Sequence, residues 1–465
     1  MSTADDASRG FGALQSEIKG TVVLPSDSAY DEARRVWNGL IDRRPAAIVR
    51  AADVADVAPT IRLARNLGLP LAVRGGGHNV AGNGTTDGGI VLDLGDLNAV
   101  EVDPASRTVR AGPGATLGDL DRATEPHGLV VPSGVISGTG LAGLTLGGGV
   151  GWLTRAFGLT ADHLVAAEVV TASGELVRAS ATENDDLLWG LKGGGGNFGV
   201  VTSFSFRAFD LPADLLTGTF IYAADQWTTA LRAYAAWTGD LADPLTSIAT
   251  FMVPRPDWDL GSDPLLLLGW SWASPDRAEG ERLVERLRTA APPMAAVVEP
   301  AKWTAWQSAA DVLFPKGSRA YWKNTSFDRL DEDTIGILVR HARQQTWLGT
   351  GFDVHHMGGA FGRVPEEATP FPNRSAGYWL NIYGFWSSPA DDAARTAWIR
   401  GFAAEMEPHA SGGQYVNFLA QEAGRDGRQA ALSVYGAAKL ERLIALKRRF
   451  DPDNLFRLNH NIPPG

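Results

Sequence analysis

The chain of 465 residues contains no cysteine. It therefore forms no disulfide, binds no metal through a thiolate and uses no cysteine nucleophile. Positive charge is not in excess either, because 42 Lys and Arg stand against 53 Asp and Glu and leave a net charge of −11. This balance argues against nucleic acid or an anionic membrane surface as the main partner.

Long apolar runs are also absent. No stretch reaches the roughly 20 residues that a membrane-spanning helix needs, and Met1–Gly10 lacks the basic and apolar regions of an export signal. We therefore expect a soluble cytoplasmic protein, a monomer or homodimer, with no membrane or nucleic-acid partner. An apolar fraction of 44% and this chain length are enough for two large hydrophobic cores.

Glycine, by contrast, is abundant, and its 54 residues are clustered. The clusters occupy residues 75–77, 134–151 and 193–199. The first follows a predicted strand, Leu71–Arg74, and precedes His78. A glycine turn lets bare backbone N–H groups converge on an anion such as a pyrophosphate, and a histidine after the turn lies beside that ligand. The second cluster is too apolar for a linker and indicates ordered backbone against a flat ligand.

The apolar periodicity predicts an α+β chain. We expect residues 1–20 to be a loose arm, 31–40 to be a first helix and 46–74 to be a strand–helix–strand unit. Glycine content argues against a helix in 134–151. Residues 211–410 lose the glycine clusters and alternate apolar strands with amphipathic helices, which is typical of an antiparallel sheet with helices on one face. The clearest strands predicted there are 247–253, 265–272, 350–358 and 378–386.

The dinucleotide fingerprint G-x-G-x-x-G occurs in Gly138-Thr139-Gly140-Leu141-Ala142-Gly143. In a Rossmann fold it needs a strand before it, a helix that opens on it and an acidic residue about 20 residues later. Residues 144–151 contain three consecutive glycines and are not expected to be helical. We therefore reject a Rossmann site. Three glycine clusters in one half of the chain fit FAD, a large planar cofactor with a pyrophosphate.

Residues 46–210 and 411–465 resemble the berberine bridge enzyme-like group of the vanillyl-alcohol oxidase/p-cresol methylhydroxylase flavoprotein superfamily. Five motifs carry the resemblance, in the order of that family. They are Arg74-Gly75-Gly76-Gly77-His78-Asn79, Gly147-Gly148-Gly149-Val150-Gly151-Trp152, Gly195-Gly196-Asn197-Phe198-Gly199-Val200-Val201-Thr202, Tyr415-Val416-Asn417 and Asp451-Pro452-Asp453-Asn454-Leu455-Phe456-Arg457-Leu458-Asn459-His460-Asn461-Ile462-Pro463-Pro464.

The resemblance implies an α+β fold with two parts. One is a two-subdomain FAD-binding domain of the vanillyl-alcohol oxidase/p-cresol methylhydroxylase type. The other is a substrate domain with an antiparallel sheet backed by helices. The chain is expected to divide into an FAD-binding segment 1–210, a substrate domain 211–410 and a second FAD-binding segment 411–465. The active site is expected between the two domains.

The resemblance also implies FAD that is joined covalently through the imidazole of His78 to the flavin 8α-methyl carbon. A neutral imidazole nitrogen is a suitable nucleophile near pH 7. A second, cysteinyl link is impossible, and Ile136 stands where the cysteine of many family members would be. The alternative, a His78 that only hydrogen bonds to free FAD, stays open. A single link is typical of members that oxidise alkaloid-type amines or tailor polyketides, rather than carbohydrates.

The candidate catalytic residues are Tyr415, Asn417, Asp353, His355 and Thr139. Tyr415 and Asn417 are expected on one face of a strand. The resemblance implies that the tyrosine faces the flavin and helps to activate the substrate; the alternative is a ring that only packs on the flavin. A tyrosinate base would need a cation or a strong hydrogen-bond donor, because the pKa of a phenol is about 10. Asp353 and His355 share a strand face. Relatives often supply an acidic residue from this strand, so the resemblance implies that either is a candidate for the base; the alternative for each is a surface or structural hydrogen-bonding role. Thr139 falls where the family controls O2 access to the flavin; the alternative is that it only packs.

The remaining site predictions are the cofactor contacts and candidate substrate contacts. The cofactor contacts are Arg74, Gly75, Gly76, Gly77, His78, Asn79, Gly82, Ser133, Gly134, Gly138, Thr139, Gly140, Gly143, Leu144, Gly148, Gly149, Trp152, Gly199, Val200, Val201, Tyr415, Asn417, Asn459 and Asn461. Eight aromatic residues are candidates for a substrate cleft, although most are expected in the core: Trp303, Trp306, Tyr321, Trp322, Tyr378, Trp379, Tyr383 and Trp386. No metal site is predicted, because His355 and His356 point apart on a strand and no third ligand is evident.

The expected function is oxidation of a small cyclic or aromatic secondary metabolite, polyketide- or alkaloid-like. A hydride passes to flavin N5, and O2 reoxidises the flavin to give H2O2. The alternatives are a flavin-dependent oxygenase-type tailoring enzyme of a polyketide pathway, a carbohydrate oxidase and a non-catalytic flavin-carrying binding protein. The motif tyrosine favours an enzyme over the last of these.

Overall fold

The computed structural model describes residues 3–420 and 427–465. Residues 1–2 and 421–426, which belong to the two predicted FAD-binding segments, lie outside the described residues. The helices are α1 Thr3–Glu17, α2 Tyr30–Ala33, α3 Val57–Leu67, α4 Leu117–Thr124, α5 Leu141–Gly147, α6 Thr154–Phe157, α7 Asp185–Leu191, α8 Trp227–Thr238, α9 Arg277–Ala290, α10 Trp303–Ser308, α11 Glu332–Ala342, α12 Ala360–Arg363, α13 Asp392–Met406 and α14 Gly427–Phe450. The strands are β1 Thr21–Val23, β2 Ala47–Arg50, β3 Leu71–Arg74, β4 Ile90–Asp93, β5 Val100–Asp103, β6 Thr108–Ala111, β7 Leu129–Val130, β8 Leu164–Val170, β9 Leu176–Ser180, β10 Val200–Arg207, β11 Phe209–Asp210, β12 Leu215–Tyr222, β13 Leu245–Met252, β14 Leu265–Trp272, β15 Ala295–Ala301, β16 Arg319–Phe327, β17 Thr350–His356 and β18 Tyr378–Trp386.

The first sheet has the order β1-β2-β4-β3, with β2, β4 and β3 parallel and β1 antiparallel to β2. The predicted strand–helix–strand unit is thus confirmed as β2-α3-β3, and the left-handed Gly68 ends the helix. The expected loose arm is wrong, because residues 3–17 form α1, whose Phe11 and Leu14 are buried in the core that α3 shares. The helix expected at 31–40 is reduced to the single turn α2.

The second sheet is antiparallel, in the order β5-β6-β10-β8-β9. Helices α7 and α14 share its hydrophobic core, to which Phe204, Phe206 and Leu443 contribute. Because α14 comes from the last part of the chain, two segments distant in sequence complete one core.

Helix α5 contradicts the expectation that residues 134–151 are not helical. Leu141 is fully buried and Leu144 nearly so. Burial of these side chains outweighs the roughly 1 kcal/mol per residue that glycine costs in a helix. The rejection of a Rossmann site nevertheless holds, because the nearest preceding strand, β7, is two residues long and pairs antiparallel with β11.

The third sheet has seven antiparallel strands in the order β15-β12-β14-β13-β17-β18-β16. Helices α8, α9, α11 and α13 share one hydrophobic core with this sheet, in which Trp227 and Phe352 are fully buried or nearly so. The predicted antiparallel sheet backed by helices is confirmed. The domain boundaries at residues 210 and 410 stay a prediction. Within the described ranges, no helix combines the length and apolar character needed to cross a bilayer.

Candidate active site

One large cavity lies where the three sheets meet. Its first wall is backbone from the glycine clusters, at residues 74–79, 134–147 and 195–201. Its second wall consists of side chains from the seven-stranded sheet, among them Asp353 and Trp322. Segments from the last part of the chain, 415–418 and 456–460, close it.

Two of the three glycine segments, 74–79 and 134–147, cross in direct contact. A Cβ atom on Gly76 would lie 2.5 Å from the Cα of Gly140, and a Cβ on Gly140 would lie 2.5 Å from the backbone nitrogen of Gly76. Since real Cβ atoms do not approach backbone so closely, neither position has room for a side chain. The N–H groups of Gly75, Gly76 and Gly77 donate no hydrogen bond within the described residues. These donors are available to an anion.

Arg74 lies in the wall but is not a free cation. Its guanidinium forms an ion pair with Asp93 at 2.8 Å and donates to the carbonyl oxygen of Ala33 at 2.7 Å. The arginine therefore fastens the glycine turn to neighbouring backbone.

His78 is a neutral side chain at the end of this turn. Its Nε2 atom is buried and has no hydrogen-bond partner among the described residues. Burial lowers the pKa of His78 to about 4. The imidazole is therefore unprotonated at neutral pH and keeps a nitrogen lone pair.

Strand β17 supplies two ionisable side chains to the sheet wall. Asp353 and His355 both line the cavity, whereas His356 points to the other face and contacts Arg155 at 3.3 Å. Tyr383 donates to the carboxylate of Asp353 at 3.1 Å. Burial raises the pKa of Asp353 to about 7, although hydrogen bonds to the carboxylate work against this shift. Burial lowers the pKa of His355 to about 4.

Tyr415 and Asn417 lie in the closing segment, but not on a strand as expected. Residues 416–418 form one turn of 3₁₀ helix, so the predicted strand at this motif is wrong. The Tyr415 hydroxyl oxygen accepts from the N–H of Gly149 at 3.1 Å, the N–H of Val150 at 3.4 Å and the amide of Asn417 at 3.0 Å. Burial raises the pKa of Tyr415, and these three donors oppose the shift.

The structure brings all five candidate catalytic residues and most predicted cofactor contacts to this cavity. Seven predicted contacts lie outside its wall: Gly82, Ser133, Gly138, Gly148, Gly149, Trp152 and Asn461. Trp152 packs instead against Trp306, with ring centroids 5.0 Å apart, and Gly149 donates to Tyr415. Of the eight aromatic residues considered above, Trp322 lines the cavity and Tyr383 hydrogen bonds to Asp353.

Sequence reasoning missed several wall residues. They are Asn381, Phe314, Phe418, Tyr435 and His460, among others. Asn381 pairs across β17 and β18 with Asp353, so strand alternation around Asp353 would have found it only with the register known. His460 lies inside the last flavoprotein motif and Phe418 directly follows the Tyr415-Val416-Asn417 motif, so proximity to these motifs was the signal that could have identified them.

FAD fits the residues that are present. Six buried polar atoms of cavity-lining residues lack partners within the described ranges: Arg74 Nη1, His78 Nε2, Asn459 Oδ1, His460 Nε2, His355 Nε2 and Asn381 Oδ1. Buried polar groups are normally satisfied, so these atoms indicate a polar ligand. The free N–H groups of the glycine turn suit a pyrophosphate, and the crossing at Gly76 and Gly140 keeps side chains out of the wall.

Two family models match segments of the chain that contribute residues to this cavity. A family model described as an FAD binding domain matches residues 45–180, and one described as berberine and berberine like matches residues 414–463. The uncharacterized FAD-linked oxidoreductase YgaK of Bacillus subtilis is 30% identical over 466 residues, which cover 97% of this chain and 98% of YgaK.

Two solved structures have the same fold. BBE-like 1 of Physcomitrella patens matches with a TM-score of 0.86 and 22% identity and covers 100% of both chains. The 6-hydroxy-D-nicotine oxidase of Arthrobacter nicotinovorans matches with a TM-score of 0.84 and 27% identity, over 96% of this chain and 98% of the oxidase.

The fold and the cavity define an FAD-dependent oxidoreductase with the vanillyl-alcohol oxidase type of FAD-binding fold. The chain belongs to the berberine bridge enzyme-like family of FAD-linked oxidoreductases.

Proposed function

We propose that this protein is an FAD-dependent oxidase of a small cyclic or aromatic metabolite, with Asp353 as the proton acceptor. One observation carries the proposal: a buried carboxyl whose pKa is raised to about 7 faces a cavity suited to a flavin. A general base works best when its pKa lies near the operating pH. When bound, FAD accepts a hydride from the substrate carbon and passes the two electrons to O2, which yields H2O2.

The backbone wall would hold the cofactor. The free N–H groups of Gly75, Gly76 and Gly77 suit the pyrophosphate. His78 would be the single covalent anchor through the 8α-methyl group, because its imidazole is neutral and its Nε2 has no partner in the described protein. We also propose that residues 1–210 and 411–465 form the FAD-binding domain and 211–410 the substrate domain.

Asp353 is a better candidate for the base than its two neighbours. The pKa of His355 is lowered to about 4, so its imidazole is a weak acceptor at neutral pH. Three hydrogen bonds donated to the Tyr415 oxygen favour its phenolate, but burial outweighs them and the pKa of the phenol stays raised, so Tyr415 is protonated at neutral pH. We assign Tyr415 and Asn417 to positioning of the closing segment against the glycine wall. Asp353 would take the proton of a substrate O–H or N–H while the adjacent carbon loses hydride.

Aromatic rings around the cavity support a flat, mostly apolar substrate. Phe314, Trp322 and Phe418 line the cavity, and Asp353 is its one carboxylic acid among the described residues. Sugars need many hydrogen bonds, so these rings favour an alkaloid- or polyketide-like ring system over a carbohydrate. The similarity to 6-hydroxy-D-nicotine oxidase points the same way.

Thr139 and Ile136 concern the reaction with O2. Both line the cavity, and Ile136 occupies the place of the cysteine that many relatives have. We propose that the modest volume of Thr139 admits O2, which favours an oxidase. An oxygenase-type tailoring enzyme is the second candidate, because the Thr139 hydroxyl lies in the same wall and is able to hydrogen bond to reduced oxygen.

The test is anaerobic mixing of the purified holoprotein with cyclic amines, phenols and sugars, followed by flavin absorbance. We expect bleaching with an aromatic or cyclic compound and one H2O2 per O2 consumed in air. Asp353→Asn should slow bleaching by about 10²–10⁴-fold with flavin still bound. His355→Gln is the matched control on the same strand face and should slow it far less.

Other outcomes would replace parts of the proposal. A large loss in His355→Gln with none in Asp353→Asn would assign the base to His355. Product that contains label from ¹⁸O2 would establish the oxygenase instead. Bleaching by sugars alone would establish a carbohydrate oxidase, and no bleaching by any compound would favour a flavin-carrying binding protein.

A further inference from the structure

An aromatic ring outside every flavin motif lies against the proposed anchor. The indole of Trp37 stacks on the imidazole of His78, with ring centroids 4.3 Å apart and an interplanar angle of 22°. Trp37 is only 6% exposed. It precedes the first parallel strand, β2, and lies outside all five flavoprotein motifs.

The backbone around Trp37 is fastened to the histidine turn. The N–H of Trp37 donates to the carbonyl oxygen of Gly77 at 3.0 Å. The next residue, Asn38, is fully buried, and its amide donates to the carbonyl oxygen of Val80 at 2.8 Å. Trp37 and Asn38 thus hold the turn on both sides of His78.

The same two residues are fastened to the substrate sheet. The Asn38 side chain donates to the carbonyl oxygen of Ala320 and accepts from its N–H, both at 2.9 Å. The carbonyl oxygen of Trp37 accepts from Gly317 at 2.9 Å. Trp37 cannot move away from His78 without breaking hydrogen bonds to both parts of the molecule.

The indole is also enclosed on its remaining sides. Trp322 packs against it at 5.6 Å between centroids and Phe385 at 5.9 Å, edge to face. An imidazole stacked on a fixed ring keeps its plane and loses rotation about its own bond to Cβ. Its nitrogen edge is then held in one direction, and the unpartnered Nε2 shows that no group in the described part of the chain hydrogen bonds to that atom.

We propose that Trp37 is the positioning residue for covalent attachment of the flavin to His78. This inference rests on the proposed covalent link. In the attachment a C–N bond forms, while an N–H bond of the imidazole and a C–H bond of the methyl group break. The two protons and two electrons that these bonds release would reduce the flavin ring system, and O2 would reoxidise it and be reduced to H2O2. A fixed imidazole meets the methyl carbon in a productive orientation far more often than a rotating one.

The test measures attachment separately from binding and from turnover. Purified holoprotein is precipitated with acid, and flavin is quantified in the pellet and the supernatant. Wild type should keep its flavin in the pellet. Trp37→Leu should hold the same total flavin before acid, with at least tenfold less in the pellet. Trp37→Phe keeps a stacking ring and should recover at least half of the wild-type covalent fraction.

The matched control is Phe385→Leu, which removes a ring from the same aromatic cluster without touching His78. Its covalent fraction should equal that of wild type. Trp37→Met replaces Trp37→Leu if the latter does not fold, because Met keeps more volume but offers no ring face.

Each other outcome decides the matter. Flavin released from wild type by acid would refute the covalent link of the proposed function itself. A wild-type covalent fraction in Trp37→Leu or Trp37→Met would overturn the role of Trp37 and leave the link intact. An equal loss in Phe385→Leu, or no flavin bound by either Trp37 variant, would show a packing or binding role and overturn the inference as well.

Discussion

The two walls of the cavity are built from different materials. The glycine wall presents backbone, and its shape depends on positions such as Gly76 and Gly140 where no side chain fits. The sheet wall presents side chains, of which Asp353, His355 and Asn381 come from neighbouring strands. A backbone wall constrains residue type strictly and so leaves motifs in the sequence. A side-chain wall needs only alternate strand residues that face the cavity, which many sequences provide. The types of residue at those positions are therefore free to vary with the substrate.

The largest effect is expected where backbones cross. Gly76→Ala should abolish recovery of flavin-loaded protein, because its Cβ would lie 2.5 Å from the Cα of Gly140 and backbone cannot yield cheaply. We expect a loss of about 3 kcal/mol or more in unfolding free energy. Bound flavin and thermal unfolding measure it. Gly138→Ala, in the segment that contains Gly140, is the control, since no described atom lies within 4 Å of its added Cβ. Equal behaviour of the two variants would mean that the crossing does not shape the wall.

A loss of stability almost as large is expected where a buried lysine holds the closing segment 456–460. Lys447 is completely buried, forms an ion pair with Asp451 at 2.6 Å, and donates to the carbonyl oxygens of Asn197 and Phe456. Lys447→Met leaves a buried carboxylate without its cation and should cost about 3–5 kcal/mol. Urea unfolding followed by tryptophan fluorescence measures this loss. Lys447→Met paired with Asp451→Asn should recover part of it; a double variant as unstable as the single one would locate the effect elsewhere.

A smaller effect is expected at the junction of closing segment and glycine wall. Tyr415→Phe removes an oxygen that accepts three hydrogen bonds and leaves Gly149, Val150 and Asn417 without that partner. The expected cost is about 1–3 kcal/mol of stability. Flavin reduction, followed anaerobically, should slow less than in Asp353→Asn. A larger slowing in Tyr415→Phe would move the chemistry from the sheet wall to the closing segment.

The smallest expected effect is a pH dependence of the rate of flavin reduction, caused by the Asp353 carboxyl in the sheet wall. The pKa of Asp353 is raised to about 7, and a proton acceptor must be ionised, so the rate of flavin reduction should fall as pH falls below 7. One pH unit below the pKa the rate should be about a tenth of its plateau. Stopped-flow reduction between pH 5 and 9 tests this. The inflection should disappear in Asp353→Asn, and its persistence there would assign it to another group.

Much of the glycine wall could be predicted from sequence, because dense glycine clusters indicate backbone that lies close to a ligand, and a histidine directly after such a turn lies beside that ligand. Helix α5 could not, since burial of Leu141 and Leu144 overrode the local propensity of a glycine-rich stretch. The strand expected at Tyr415 is a 3₁₀ turn instead, held by tertiary hydrogen bonds: the Tyr415 N–H donates to the Asn324 side chain, and its hydroxyl accepts from Gly149. Asn381 escaped notice because only strand register brings it beside Asp353.

The segments that close the cavity are synthesised after the whole seven-stranded sheet. The glycine turn with His78 therefore leaves the ribosome long before residues 415–418 and 456–460 exist to shelter a ligand beside it. At roughly 5–20 residues per second, this delay lasts some tens of seconds. Enclosure of a coenzyme in this cavity therefore follows the synthesis of residues 456–460, because the wall is incomplete without them.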